Sequence, residues 1–433
     1  MHQQLYEESI MAPRDAEICI ASVLSPLHGD ELVKDIVDIV ISASRKFPYR
    51  YLGVYKEPEP LRDAVAGCDV VVLIVGSGGT ERIIYDAFDG YDGGLMLVSY
   101  NGYNSLAAAI EVAPALRTLG VKVSLYHHRL GYGRKRLDDY IRVAYAIAKF
   151  RSSRIGLFGA PAPWLVYSSM PASESVRYGP EVVKIPLRKL YTYFMNVDEG
   201  EALDLTRMYR SRTSSRISDE ALLNVMKLHL AIRKIVEEEG LDGFTIDCFE
   251  VIRVLGVTPC FTVGYHNSIG IVAGCEGDLP SLLTMMIASY ISGNSSFMGN
   301  LSDIEQETIV LSHCTAPLNM GSYFLTTHYE TGRPVGVSVT PPKGRVVTIM
   351  KLDHKNDKFI VARGTIVASS PRPNLCRTQM VIRVPFDPQI LLDESHGNHY
   401  TVVLGDHAWK AIIAGRLLGL DIVDFTGGMS PLS

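Results

Sequence analysis

The segment "DVVVLIVGSGGTERIIYDAF", which begins at Asp69, constrains the fold more than any other stretch, because an unbroken Val, Leu and Ile run breaks into glycines and then into a helical pattern. A strand buried on one face alternates apolar with polar residues. One that is apolar throughout is covered on both faces, as in a parallel sheet flanked by helices. The unit recurs: "EICIASVLS" from Glu17 leads into the amphipathic "DELVKDIVDIVISASRKF", "GGLMLVSY" leads into "SLAAAIEVAPALRTLG", and "VKVSLYHH" follows. Strands and helices alternating in this way predict one α/β domain over residues 1–150.

The basic, polar "KFRSSR" reads as a linker, and the strand "RIGLFGAP" opens a second α/β unit at Arg154, assigned to residues 151–318. Its helix "DEALLNVMKLHLAIRKIVEEEG" repeats apolar residues at helical spacing around Leu222, Val225, Met226, Leu230 and Ile235. After Thr315 the texture changes. "RPVGVSVTP", "RVVTIMKLD", "KFIVARGTIVASS" and "TQMVIRVP" are short, rich in β-branched residues and punctuated by Pro, Gly and Asp, which predicts an antiparallel sheet or barrel over residues 319–433. The expected fold class is therefore α/β, with two parallel-sheet, Rossmann-like domains followed by a β-rich, barrel-like domain. A chain of 433 residues is long enough for two or three cores.

A formal net charge of −5 supplies no field for holding a phosphate backbone, which argues against nucleic acid as a partner. No apolar run is long enough to cross a bilayer, and "MHQQLYEESIMAPRDAEICIASVL" lacks a basic region followed by an apolar one, so the reading is cytoplasmic with no membrane partner. The seven cysteines are scattered and never spaced as CxxC, which supports neither a zinc ribbon nor a disulfide framework; most are expected to be reduced and buried.

"GSGGTER" from Gly76 lies between a strand and a helix, where backbone amides can hold an anion or a sugar hydroxyl. It is neither GxGxxG nor a P-loop. The competing reading is a tight turn in which Gly78 and Gly79 take positive φ and Thr80 is the N-cap, with Glu81 as a first-turn acid.

In "IVAGCEGDLPSLLTMM", Asp278 precedes Leu279 and Pro280, the place of an N-cap. Glu276 lies before the cap, at the carboxyl end of a strand, where open α/β sheets form ligand crevices. A solvated loop acid and a functional carboxylate are both consistent with that position. Two further strand ends carry Asn300, in "SSFMGN", and His313, in "ETIVLSHCTAP"; consecutive parallel strands would bring Glu276, Asn300 and His313 to one sheet edge as O and N ligands for a divalent ion. Near the end, "DESHGNHYTVVLGDHAWK" holds three of the twelve histidines. His399, before a strand, is the better ligand candidate, His396 is intermediate, and His407 suits a helix cap or the surface.

"CEGDLPSLLTM", "SFMGN", "LSHCTAP", "HYETGRPVG", "LCRTQ" and "GNHYTVVLGDH" together resemble the L-fucose isomerase family, in its shorter C-terminal-like branch, with a more distant likeness to L-arabinose isomerase. The resemblance covers most of the chain and is strongest from Gly274 to Pro317. It implies an aldose–ketose isomerase that uses Mn²⁺ or another divalent cation, and a homo-oligomer with sites near subunit contacts. By resemblance, Glu276 binds metal and shuttles a proton, His313 and His399 are metal ligands, and Asn300 stands where fucose isomerases place an aspartate that is both ligand and second acid/base. Asn cannot accept that proton, although its carbonyl oxygen can still ligate.

The chemistry explains these residue types. Moving a carbonyl from C1 to C2 through an enediol needs a base at the C2 proton and a divalent ion against the enediolate charge. Glu276 is the candidate base, with Asp278, His313 or a water on the ion as second proton carrier, and Glu330, Arg377 and Glu81 as candidate contacts to the sugar. Two other classes compete: a non-catalytic sugar-binding or regulatory protein on the same fold, suggested by Asn300, and a nucleotide-linked dehydrogenase, resting only on the glycines after Gly76.

Overall fold

The computed structural model describes residues 16–212, 217–369 and 372–427. Most of the N-terminal stretch that was read as lacking a leader, residues 1–15, lies outside them. Strands β1 (Ile18–Val23), β2 (Tyr49–Tyr55), β3 (Val70–Val75), β4 (Gly94–Tyr100) and β5 (Lys122–His128) form a parallel sheet in the order β2-β1-β3-β4-β5. Every residue of β1, β3 and β4 is buried, as expected for unbroken apolar runs covered on both faces. A second parallel sheet, ordered β7-β6-β8-β9, is built from β6 (Arg154–Phe158), β7 (Glu181–Ile185), β8 (Gly243–Ile246) and β9 (Val272–Cys275).

The third sheet differs from expectation. Strands β10 (Ser296–Glu305) and β11 (Thr308–His313), read above as parallel strands continuing the second sheet, instead form an antiparallel hairpin. A two-residue connection cannot supply the crossover that a parallel pair requires. Beyond them, β12 (Ser322–Thr327) and β13 (Pro334–Thr340) pair only with each other, while β14 (Val346–Asp353), β15 (Lys358–Ala368), β16 (Thr378–Arg383) and β17 (His399–Leu404) join the hairpin. Antiparallel pairing in the order β14-β17-β10-β11-β16-β15, closed by β14 against β15, makes a six-stranded barrel; β18 (Asp421–Phe425) adds in parallel outside β15. The fold is thus mixed α/β, with two parallel sheets and a closed C-terminal β-barrel.

The helix Leu279–Ser292 joins these layers. Pro280 in its first turn and Gly293 at φ +74 after its end mark its limits, and nearly all of its residues are buried. It sits in the core shared by both parallel sheets and the barrel, where the Thr284 hydroxyl receives the Leu352 N–H of β14 at 3.0 Å. Its N-terminus is thereby held beside the barrel.

Two smaller expectations are corrected. Cys19 in β1 and Cys68 ahead of β3 are joined by a disulfide with Cα atoms 6.1 Å apart, a proximity created by strand pairing and not visible in the spacing. The other five cysteines are free, four of them buried. In the glycine turn, Gly79 takes φ +75, but Gly78 does not have positive φ; a Cβ there would meet the Asn104 Cβ at 3.0 Å. Thr80 occupies the N-cap position, yet its hydroxyl donates to the Ser77 carbonyl at 2.8 Å instead of capping.

His229 and His266 are buried with ring centroids 5.5 Å apart, among Phe244, Phe261 and Tyr265. Desolvation holds both imidazoles below the ordinary 6.5, His266 at about 4. Protonation therefore favours the unfolded chain: the contribution is fully present above 6.5 and is lost as pH falls toward 4. Denaturant titrations at pH 7 and at about pH 4.5 should show a loss of stability that is smaller in His229→Phe. Equal losses in both proteins would remove His229 from this account.

Candidate active site

β9 ends at Cys275, and the chain then takes two left-handed residues in succession, Glu276 at φ +61 and Gly277 at φ +64. A Cβ on residue 277 would lie 2.4 Å from the Ala160 carbonyl oxygen, so only glycine fits. For Glu276 the left-handed backbone costs on the order of 1–3 kcal/mol. It is held there because its carbonyl accepts the Ala162 N–H at 2.8 Å, while the Gly277 N–H reaches the Ile246 carbonyl at 3.1 Å. The loops leaving β6, β8 and β9 thus meet at the carboxyl edge of the second sheet, with Glu276 at their junction.

The barrel supplies the facing groups. His313 ends β11 and His399 begins β17; both are buried, with ring centroids 5.6 Å apart. Each presents its Nε2 at 3.7 Å from Glu276 Oε1. One donor atom from each of Glu276, His313 and His399 falls within a 4.8 Å cluster, the one such group among the described residues. Asn300 lies across from His399 in the ladder, and its Oδ1 accepts from the Asn398 side chain.

The groups behind this cluster determine its protons. Asp278 is fully buried; Oδ1 accepts the Ser281 N–H at 2.8 Å, capping the helix, and Oδ2 sits 2.9 Å from His399 Nδ1. A carboxylate only accepts, so Nδ1 carries the hydrogen, and in the neutral ring Nε2 presents its lone pair to the cluster. Among the described residues, that Nε2 is a buried atom with no hydrogen-bond partner. His313 Nδ1 is likewise held, 2.9 Å from the Thr315 hydroxyl.

Burial alone would raise the Glu276 carboxyl, but the two imidazoles and Trp164 hold it down at about 2. Burial would lower His313, and Glu276 outweighs it and raises the imidazole above its ordinary value. Asp278 also stays low despite burial, held by the His399 N–H and by the buried Lys351, whose Nζ donates to the His399 carbonyl at 2.8 Å.

Trp164 escaped the sequence reading. Its Nε1 donates to Glu276 Oε2 at 2.7 Å, and its half-exposed ring packs edge-on against Phe249 at 4.6 Å. One signal was available: it is one of two tryptophans and follows a strand at the end where crevices form. Lys351 lay inside a strand pattern with no mark of a role.

The remaining candidates divide. Asp278, read above as a possible proton carrier, has both oxygens engaged inside the protein and faces His399. Glu330 stands in the turn between β12 and β13, near enough to Glu276 and His313 to be affected by their charges. Arg377 donates to the Thr327 carbonyl at 2.7 Å and to its hydroxyl at 3.2 Å, which anchors that hairpin. Glu81 lies in the first turn of the helix Glu81–Ala87, which follows β3 of the first sheet, and no hydrogen bond or ion pair links it to these residues in the described structure. His396 pairs with Asp353 at 2.9 Å, and His407 sits at the N-cap position of the helix Ala408–Leu417 without a side-chain capping bond.

No family model matches the chain. It is 24% identical over 309 residues to the sulfoquinovose isomerase of Alkalicoccus urumqiensis, covering 67% of this chain and 69% of that one. The sulfoquinovose isomerase of Priestia megaterium is 24% identical over 308 residues, covering 66% and 68%. That of a Clostridium species is 21% identical over 346 residues, covering 73% and 75%.

Proposed function

We propose that this chain is a divalent-metal-dependent aldose–ketose isomerase acting on a free sugar through an enediol. The observation that carries the reading is the Glu276, His313 and His399 cluster, with His399 Nε2 buried, unpartnered and aimed inward by Asp278. One carboxylate and two imidazoles suit a hard or borderline divalent ion, such as Mn²⁺. Bound there, the ion would supply Lewis-acid stabilisation of the negative charge that develops on the sugar oxygens.

The chain's own residues do the rest. Glu276, ionised far below neutral pH, is the base that takes the C2 proton and returns it to C1. Trp164 fixes one of its oxygens, leaving the other toward the imidazoles. The resemblance to L-fucose isomerases and the similarity to proteins named sulfoquinovose isomerase support this reading and make a sugar with an acidic C6 substituent the first substrate to try. Asn300 favours the second reading, a sugar-binding protein that has lost catalysis.

Incubation with Mn²⁺ and a panel containing sulfoquinovose, 6-deoxyhexoses and pentoses should yield ketose from at least one aldose. Chelation should abolish the product, and the resemblance to L-fucose isomerases leads us to expect that the same preparation sediments as an oligomer. Sugar-induced thermal stabilisation without ketose from any aldose would instead select the binding protein.

A further inference from the structure

With Glu276 occupied at carbon, isomerisation also needs a group that moves a proton from O2 to O1. Asn300 has no proton to exchange at neutral pH, both oxygens of Asp278 are engaged away from the crevice, and His313 belongs to the ligand cluster. The fold brings another carboxylate, Glu330, near enough to feel the charges of Glu276 and His313.

The turn between β12 and β13 carries His328, Tyr329 and Glu330 and is fastened on several sides. It closes on itself through His328 N–H to the Arg333 carbonyl at 2.7 Å and Gly332 N–H to the His328 carbonyl at 3.0 Å. Val337 N–H bonds the Cys314 carbonyl at 3.0 Å, and the Tyr329 N–H points at the Cys314 sulfur, one residue from His313. On the other side the His328 ring packs on Phe249, Phe249 on Trp164, and Trp164 donates to Glu276. Glu330 is therefore framed by connections to two of the three cluster residues. In the described structure its carboxylate makes no hydrogen bond or ion pair of its own, and the residue is exposed, so it is open to a ligand.

We propose that Glu330 is the second proton carrier, acting on the sugar oxygens while Glu276 acts on the carbons. Glu330 enters as the carboxylic acid, gives its proton to O1 as Glu276 removes the C2 hydrogen, then takes the O2 proton as Glu276 returns its own to C1. Both side chains end as they began, with one proton moved from C2 to C1 and one from O2 to O1. Although Glu330 is exposed, desolvation of its carboxyl and the negative charge of Glu276 both raise it, which favours its starting as the acid.

This inference rests on the isomerase reading, and the test separates the two. Glu330→Gln should lower kcat by about 10²–10⁴-fold with KM within about threefold, and Mn²⁺ affinity by calorimetry should be unchanged. Glu330→Asp should recover part of the lost rate. If the wild type turns over and Glu330→Gln keeps kcat within about threefold, or loses only in KM, Glu330 is a sugar contact and this proposal alone fails. A wild type inactive on every aldose removes both.

Discussion

Glu276→Gln is expected to give a folded protein whose kcat is lower by about 10³–10⁴-fold, because the amide keeps the shape of the carboxylate and cannot accept the C2 proton. The left-handed backbone at residue 276 is held by main-chain bonds to the Ala162 and Ile246 peptides, so the exchange leaves its position unchanged. The Gln oxygen can still receive the Trp164 N–H. What disappears is the charge that raises His313, so the imidazole of His313 should titrate lower in the metal-free variant, where NMR can follow it. Near-normal turnover would reject Glu276 as the base. An unchanged His313 titration would show that the two groups are not coupled as described.

Asp278 tests the support behind the cluster, and two substitutions there should separate its two duties. Asp278→Ala removes the helix cap and leaves the buried His399 Nδ1–H without an acceptor, a loss of roughly 2–4 kcal/mol in stability. Mn²⁺ affinity should fall by about 10–100-fold as the ring loses its orientation. Asp278→Asn behaves differently. Its single carbonyl oxygen can keep the Ser281 bond, but its amide then faces Nδ1 as a donor and drives the hydrogen to Nε2, where the lone pair is needed. We therefore expect a smaller loss of stability than in the alanine variant, because the cap is kept, alongside a metal loss as large as in that variant. Calorimetric Mn²⁺ titration and equilibrium unfolding on both variants check this. Asp278→Asn with full affinity would remove the orienting role.

Much of the candidate site was legible residue by residue. Glu276 was singled out because a capping role did not explain it, and Asp278 because one did; in the structure Asp278 caps the helix and also holds His399. The error lay in arrangement. Asn300 and His313 were placed on consecutive parallel strands, although the stretch between them is too short for a crossover, and that count alone pointed to a hairpin. Trp164 and Lys351 left no mark because their roles consist of partners far away in the chain: Trp164 Nε1 meets a carboxylate 112 residues on, and Lys351 Nζ a carbonyl 48 residues on. The Cys19–Cys68 bridge was missed for the same reason, since only the adjacency of β1 and β3 brings the two sulfurs together.

Local pattern by itself determined the apolar strands of the two parallel sheets, the limits of the helix Leu279–Ser292 and the change to β-rich texture, because periodicity, caps and breakers act over a few residues. Only the tertiary structure decided that a carboxylate at the edge of an open sheet and imidazoles from two strands of a closed barrel face one another within 4.8 Å. Barrel closure fixes register through pairings between strands up to about a hundred residues apart, as between Asn300 and His399, and no short-range pattern records such a pairing.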